Sequence, residues 1–80
     1  MAEYTEADLP VRIHHGETIV LPGTTVRFEG NGEAKDVFLG DSFAPAIQLF
    51  PDCEYTFQDG GHTYRCLAAF DDSMEVARLD

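Results

Sequence analysis

The residues able to do chemistry in this 80-residue chain are few, and three fall in one segment, CEYTFQDGGHTYRC, running from Cys53 to Cys66. It holds both cysteines and His62; the other histidines are the adjacent pair His14 and His15. Cysteine and histidine together are zinc ligands when four of them converge. Two facing cysteines can form a disulfide, and two reduced thiols can simply be small apolar core residues. If QDGG, residues 58–61, is the loop of a hairpin, Phe57 lies opposite His62, Tyr55 opposite Tyr64 and Cys53 opposite Cys66. The other face then pairs Thr56 with Thr63 and Glu54 with Arg65, a self-consistent register. Asp59-Gly60 supplies residues that tolerate the positive φ of a tight turn. Ligand geometry and a reducing compartment favour buried thiols over a disulfide or a metal. His62 stands four strand residues from Cys66, about 13 Å away, so His14 or His15 would have to arrive from another strand.

Little else in the sequence assembles a reaction centre. Ser42 and Ser73 sit beside acids, outside any nucleophile-elbow context. The glycines fit neither the phosphate-loop nor the dinucleotide fingerprint. The expectation is therefore a protein that is not an enzyme. Charge is the dominant global feature: fifteen acids face five bases, giving a formal net charge of −10, and Lys35 is the sole lysine. Such a field repels nucleic acid and anionic membranes, whose phosphates need surface Lys and Arg. It suits a protein partner with a basic surface, a salt-rich cytoplasm or, as a sharper version, an imitation of DNA. The acids expected to meet a partner are Asp71, Asp72 and Glu75, with Asp41 and Glu33.

These residues must be carried by strands. Helical spacing of apolar residues is not sustained anywhere, and Gly and Pro recur too often for long helices. One short turn fits residues 3–9, before Pro10, and another fits FAPAIQL. Strand signals recur at VRIHH, TIVL, TTVRFEG, KDVFL, IQLF, CEYTF, HTYRCLAAF and MEVARL, separated by Gly, Pro, Asn and Asp. Adjacent strand residues face opposite sides, so one of His14 and His15 is expected to be buried or hydrogen-bonded and the other solvated. The pattern predicts an all-β fold: a small antiparallel Greek-key β-sandwich or barrel of about seven short strands with little or no helix. Residues 1–80 make one domain, with 1–10 a flexible or loosely packed leading segment. The expected core is Val26, Phe28, Val37, Leu39, Ile47, Leu49, Tyr55, Phe57, Tyr64, Cys66 and Val76.

TIVLPGTTVRFEGNGEAKDVFLGD resembles the first half of a small cupredoxin, the copper-binding β-sandwich, with its Pro-Gly turn, Thr-Val-x-Phe strand and Asn-Gly turn. FPDCEYTFQDGGHTYRC is similar to the later hairpin of that family, and CLAAFDDSMEVARL to its ligand loop and closing strand. The resemblance spans about Val11 to Leu79. It implies that Cys66 matches the ligand cysteine and Met74 the axial methionine. Lys35 or Asp36 stands where the family has its first ligand histidine, and Leu67-Ala68-Ala69-Phe70 where it has the second. Blue-copper chemistry needs two imidazoles beside the thiolate, so the resemblance implies the sandwich and argues against electron transfer. A weaker likeness to a truncated cupin barrel, through HHGE and GDSFAP, also lacks a metal-motif histidine.

The expectation for function is a small acidic, non-catalytic protein-binding module, such as a viral or accessory inhibitor acting through its acidic surface, with no cofactor. The alternative is a cupredoxin-like copper or zinc protein using Cys66, Met74, Cys53 and a histidine such as His14. Self-association through an exposed edge strand, with FAPAIQLF the most apolar candidate, is a third. The opening MAEYTEADLP has neither a basic region nor an apolar stretch, so it is not read as a signal peptide, and the expected location is cytoplasmic.

Overall fold

The computed structural model describes residues 3–30 and 32–80. The chain enters as β1 (Glu3–Thr5), makes a single 3-10 turn at Glu6–Asp8, and crosses to a second sheet as β2 (Val11–His14). It returns as β3 (Thr18–Val20), β4 (Thr25–Gly30), β5 (Lys35–Leu39) and β6 (Ile47–Leu49). It then crosses again for β7 (Glu54–Asp59), β8 (His62–Ala68) and β9 (Ser73–Arg78). One sheet has the order β1-β3-β4-β5-β6 and the other β2-β9-β8-β7. The fold is all-β, as expected.

Strict alternation is what divides each strand between core and solvent. Val26 and Phe28 of β4, Val37 of β5, Tyr64, Cys66 and Ala68 of β8, and Met74 and Val76 of β9 are buried in one cluster with Ile13, Ile19, Leu21, Leu49 and Phe57. Of the expected core, Leu39, Ile47 and Tyr55 are only partly buried and pack against that cluster. Tyr55, Phe57 and Tyr64 stack in a row along the inner face of the second sheet, with ring centroids 6.0 and 5.5 Å apart.

Three expectations are corrected. The described strands number nine, because Glu3–Thr5 pairs in parallel with β3, Glu3 with Thr18 and Thr5 with Val20. From Glu3 onward the leading segment is therefore part of the fold, with Tyr4 and Leu9 packed on the core, and the sheets are not wholly antiparallel. Second, FAPAIQL holds no helical turn, and its residues 47–49 form the short strand expected from IQLF. Third, the β7–β8 hairpin is shifted by two residues: Phe57 faces Tyr64, Tyr55 faces Cys66, and Asp59 faces His62. The cause is the turn. Gly60 and Gly61 both have positive φ, +59° and +82°, so they form a two-residue reversal that a longer QDGG loop would not need. An even shift keeps every residue on its face, so the aromatic row is the same in both registers. The thiols do not keep their pairing. Cys53 extends the ladder opposite Ala68, whose amide donates to the Cys53 carbonyl at 3.0 Å. The expected Gly30-Asn31-Gly32 turn includes Asn31, which lies outside the described residues.

No described helix is long and apolar enough to cross a membrane.

Candidate functional site

At one end of the molecule the β4–β5 turn, the β6–β7 crossover and the β8–β9 loop come together, and Lys35 organises them. It begins β5 on the inward register of Lys35, Val37 and Leu39, and is only 1% exposed. Its Nζ donates to the carbonyls of Ala69, at 3.0 Å, and Asp71, at 2.7 Å, and lies 6.0 Å from the centre of the Phe28 ring. Burial pulls its pKa below the ordinary lysine value, opposed by the carboxylates of Asp71 and Asp72. The loop is tied at further points. The Ala69 amide donates to the Ser73 carbonyl at 3.2 Å and the Ser73 amide to the Asp71 carboxylate at 2.9 Å. The Ser73 hydroxyl also bonds that carboxylate, and Arg12 donates to the hydroxyl at 2.8 Å. These Ser73 bonds hold the Asp71 pKa below the ordinary aspartate value, with Arg12 and Lys35 adding to the effect. Gly32 packs so closely on the loop backbone that a Cβ there would fall 2.5 Å from the Phe70 carbonyl oxygen.

The outcome is a loop with its backbone fixed and its side chains outside. Phe70 is 75% exposed, and Asp71 and Asp72 beside it are exposed as well. The contact between Gly32 and this loop sets the β4–β5 turn, with exposed Glu33, against the Phe70–Asp72 segment. Of the five acids expected to meet a partner, Asp71, Asp72 and Glu33 thus belong to this end. Glu75 does not: it sits on the outer face of β9, bonded by Arg65 at 3.3 Å. Asp41 does not either, lying beyond the far end of β5.

All five basic side chains are engaged within the chain. Arg12 is held by Ser73 and Lys35 by two carbonyls. Arg27 bonds Glu29 at 2.9 Å and covers the Phe38 ring at 4.2 Å. Arg65 lies between Glu54 and Glu75, and Arg78 bonds Glu6 at 2.7 Å. Exposed pairs of this kind add about 0–1 kcal/mol each. Arg27, Arg65 and Arg78 stay partly exposed beside these carboxylates, and the outward charge is set by the excess of fifteen acids over five bases.

The candidate metal ligands do not converge as a set, although Cys66 and Met74 are diagonal neighbours on paired strands β8 and β9. Cys66 and Met74 are buried on the inner face, and burial pushes the Cys66 thiol pKa up to about 12, which keeps it protonated. His14 follows inward-facing Ile13 and is exposed on the outer face of β2, near Glu17 at 3.4 Å. Cys53 is exposed at the end of β7, and both thiols are free. His15 accepts a hydrogen bond from the Gly30 amide at 3.2 Å. His62 lies 3.4 Å from Asp80 at the other end of the molecule. Among the described residues, no group of three or more His, Cys, Asp or Glu side chains is placed to hold a metal ion.

That other end carries an open cleft of about 610 Å³ lined by Glu6, Ala7, Leu9, Pro10, Arg78 and Asp80. The Tyr64 hydroxyl is buried close to Glu6 and Arg78. Burial, and then the charges of Glu6 and Asp59, raise its pKa.

Comparison with known proteins finds no relative. No family model, curated protein or solved structure matches the chain. The site therefore stands on its own geometry. Sequence reasoning passed over Lys35 and Phe70. A signal for Lys35 existed, since a lone lysine at the inward position of an alternating strand must bury its stem and find acceptors for its ammonium. Phe70 had no comparable mark, because a phenylalanine after two alanines reads as core until its loop is seen.

Proposed function

We propose that this chain is a small, non-catalytic protein-binding module, of the accessory or inhibitor kind, that uses its acidic surface to hold a partner with a basic surface. The observation that carries the reading is the internal engagement of Arg12, Arg27, Lys35, Arg65 and Arg78. With every cation so occupied in a chain of net charge −10, the outward field is acidic. A field of that sign speeds encounter with a basic partner and weakens as salt screens it. The finer fold reading, a Greek-key sandwich of cupredoxin type, goes with this proposal. The double exchange of the chain between sheets, at β2 and again at β7, supports it.

The test is recovery of a partner from an extract of the source organism on immobilised protein, at low and at high salt. Wild type is compared with a doubly neutralised variant, Asp71→Asn with Asp72→Asn. The reading expects one retained protein that leaves with salt and is held less well by the variant. Retention indifferent to both, or no retained protein, refutes it.

A further inference from the structure

An acidic field selects the sign of a partner's charge but does not say where the two surfaces lock together. That requires an apolar group held ready to be buried, because binding energy concentrates in a few desolvated anchors, often aromatic, ringed by polar contacts. Three phenylalanines are largely exposed: Phe43 at 99%, Phe70 at 75% and Phe50 at 55%. They are not equivalent. The Phe43 segment is anchored to the sheet only at its ends, by Gly40 to Thr25 and Ala46 to Val37, and between them the described bonds are the local ones of Ser42 and Ala44. Phe70 sits between two residues whose carbonyls are both bonded to the buried Lys35 ammonium, and its own carbonyl is packed under Gly32. Phe50 stands at the same end, because its neighbour Leu49 pairs with Lys35.

We propose that Phe70 is the docking anchor of the module. It enters an apolar pocket on a partner protein, and lysine or arginine side chains around that pocket meet Asp72, Asp71 and Glu33. The inference rests on the reading of the chain as a protein-binding module. Three features converge on it. A phenyl ring in water gains by burial. A loop ordered before binding loses little conformational freedom on binding, so more of that gain appears as affinity. The carboxylates next to the ring exclude acidic surfaces and admit basic ones. The buried lysine is thus a positioning residue: it touches no partner and holds the backbone that aims the ring.

The experiment places the photo-crosslinking residue p-benzoylphenylalanine at position 70 in one preparation and at position 43 in another. Each is irradiated in extract of the source organism, and the cross-linked protein is identified, produced and titrated against wild type, Phe70→Ala and Phe43→Ala. The expected result is a cross-link from position 70 and not from 43, with affinity at least tenfold weaker for Phe70→Ala and within twofold for Phe43→Ala. Both truncated side chains are exposed, so unchanged melting of the variants separates lost contact from lost fold. A partner that leaves with salt but binds Phe70→Ala as well as wild type overturns the anchor and leaves the acidic module standing. An extract with no salt-sensitive partner overturns both.

Discussion

Replacing Lys35 by methionine keeps an unbranched stem of similar length and removes the ammonium. Two opposing effects set the result. The Ala69 and Asp71 carbonyls lose a charged donor, and hydrogen bonds to charged groups are worth about 1.5–3 kcal/mol each. Against this, an ammonium that is 1% exposed no longer has to be desolvated, a cost of several kcal/mol. The lowered pKa of Lys35 shows that burial outweighs the pull of Asp71 and Asp72. For the whole fold the two effects largely cancel. For the loop they do not, because opening the 69–73 segment breaks the carbonyl bonds while Val26 and Phe28 stay packed. Losing even one such bond lowers the local opening free energy by about 1.5 kcal/mol, more than a tenfold change in an equilibrium constant. Native-state hydrogen exchange reads this directly. In Lys35→Met the amides of Ala69 and Ser73 are expected to exchange at least tenfold faster relative to those of Val26 and Phe28. If all four amides change in proportion, or if Ala69 and Ser73 keep their protection, Lys35 is packing and not a clamp, and the preorganised presentation of Phe70 loses its basis.

Three more outcomes are expected. The Cys66 thiol holds its proton in the folded chain up to about pH 12, against 9.0 for an ordinary thiol, so the folded state binds more protons in that window and stability falls as pH rises through it. The slope is about 1.4 kcal/mol per pH unit, and chemical denaturation of Cys66→Ala at pH 9–12 should lose it, while Lys35, with its lowered pKa, works in the opposite sense below 10.5. Asp71 has a depressed pKa, so its contribution is present above 3.8 and disappears as pH falls through the lowered value; in acid titration of melting temperature, Asp71→Asn should flatten that limb. One equivalent of Cu(II) or Zn(II) added to reduced protein should leave melting unchanged and give no thiolate-to-copper absorption, because Cys66 is a buried protonated thiol and His14 faces outward. A charge-transfer band with a rise in melting temperature would instead require Cys66, Met74 and a histidine to meet.

The fold was legible wherever one physical rule acted alone. Alternation marked β4 through Val26 and Phe28 and β8 through Tyr64 and Cys66, because a period of two admits only one buried face. Two things escaped for different reasons. Strand β1 is three residues with only Tyr4 turned toward the core, too short for a periodic signal, and its partner β3 is fixed by tertiary packing. The hairpin register turned on whether the reversal used two residues or four, and both choices satisfied the face pattern. The choice mattered little for folding and a great deal for the thiols, since it separated an apparent cysteine pair into one exposed residue and one buried residue.

The acids show a limit of another kind. Asp71, Asp72, Glu75, Asp41 and Glu33 were equivalent as letters in an acidic chain, and nothing local distinguishes Asp72 from Asp41. What separates them is which residues the two sheets bring to the same end, and that depends on the pairing of Leu49 with Lys35 and of Ala68 with Met74. Lys35 is where fold and site meet. A buried ammonium needs acceptors, and the β8–β9 loop supplies two of them, so satisfying a core residue helps fix the posture of a surface one. The requirement to bury the sole lysine and the projection of Phe70 into solvent are therefore one structural fact.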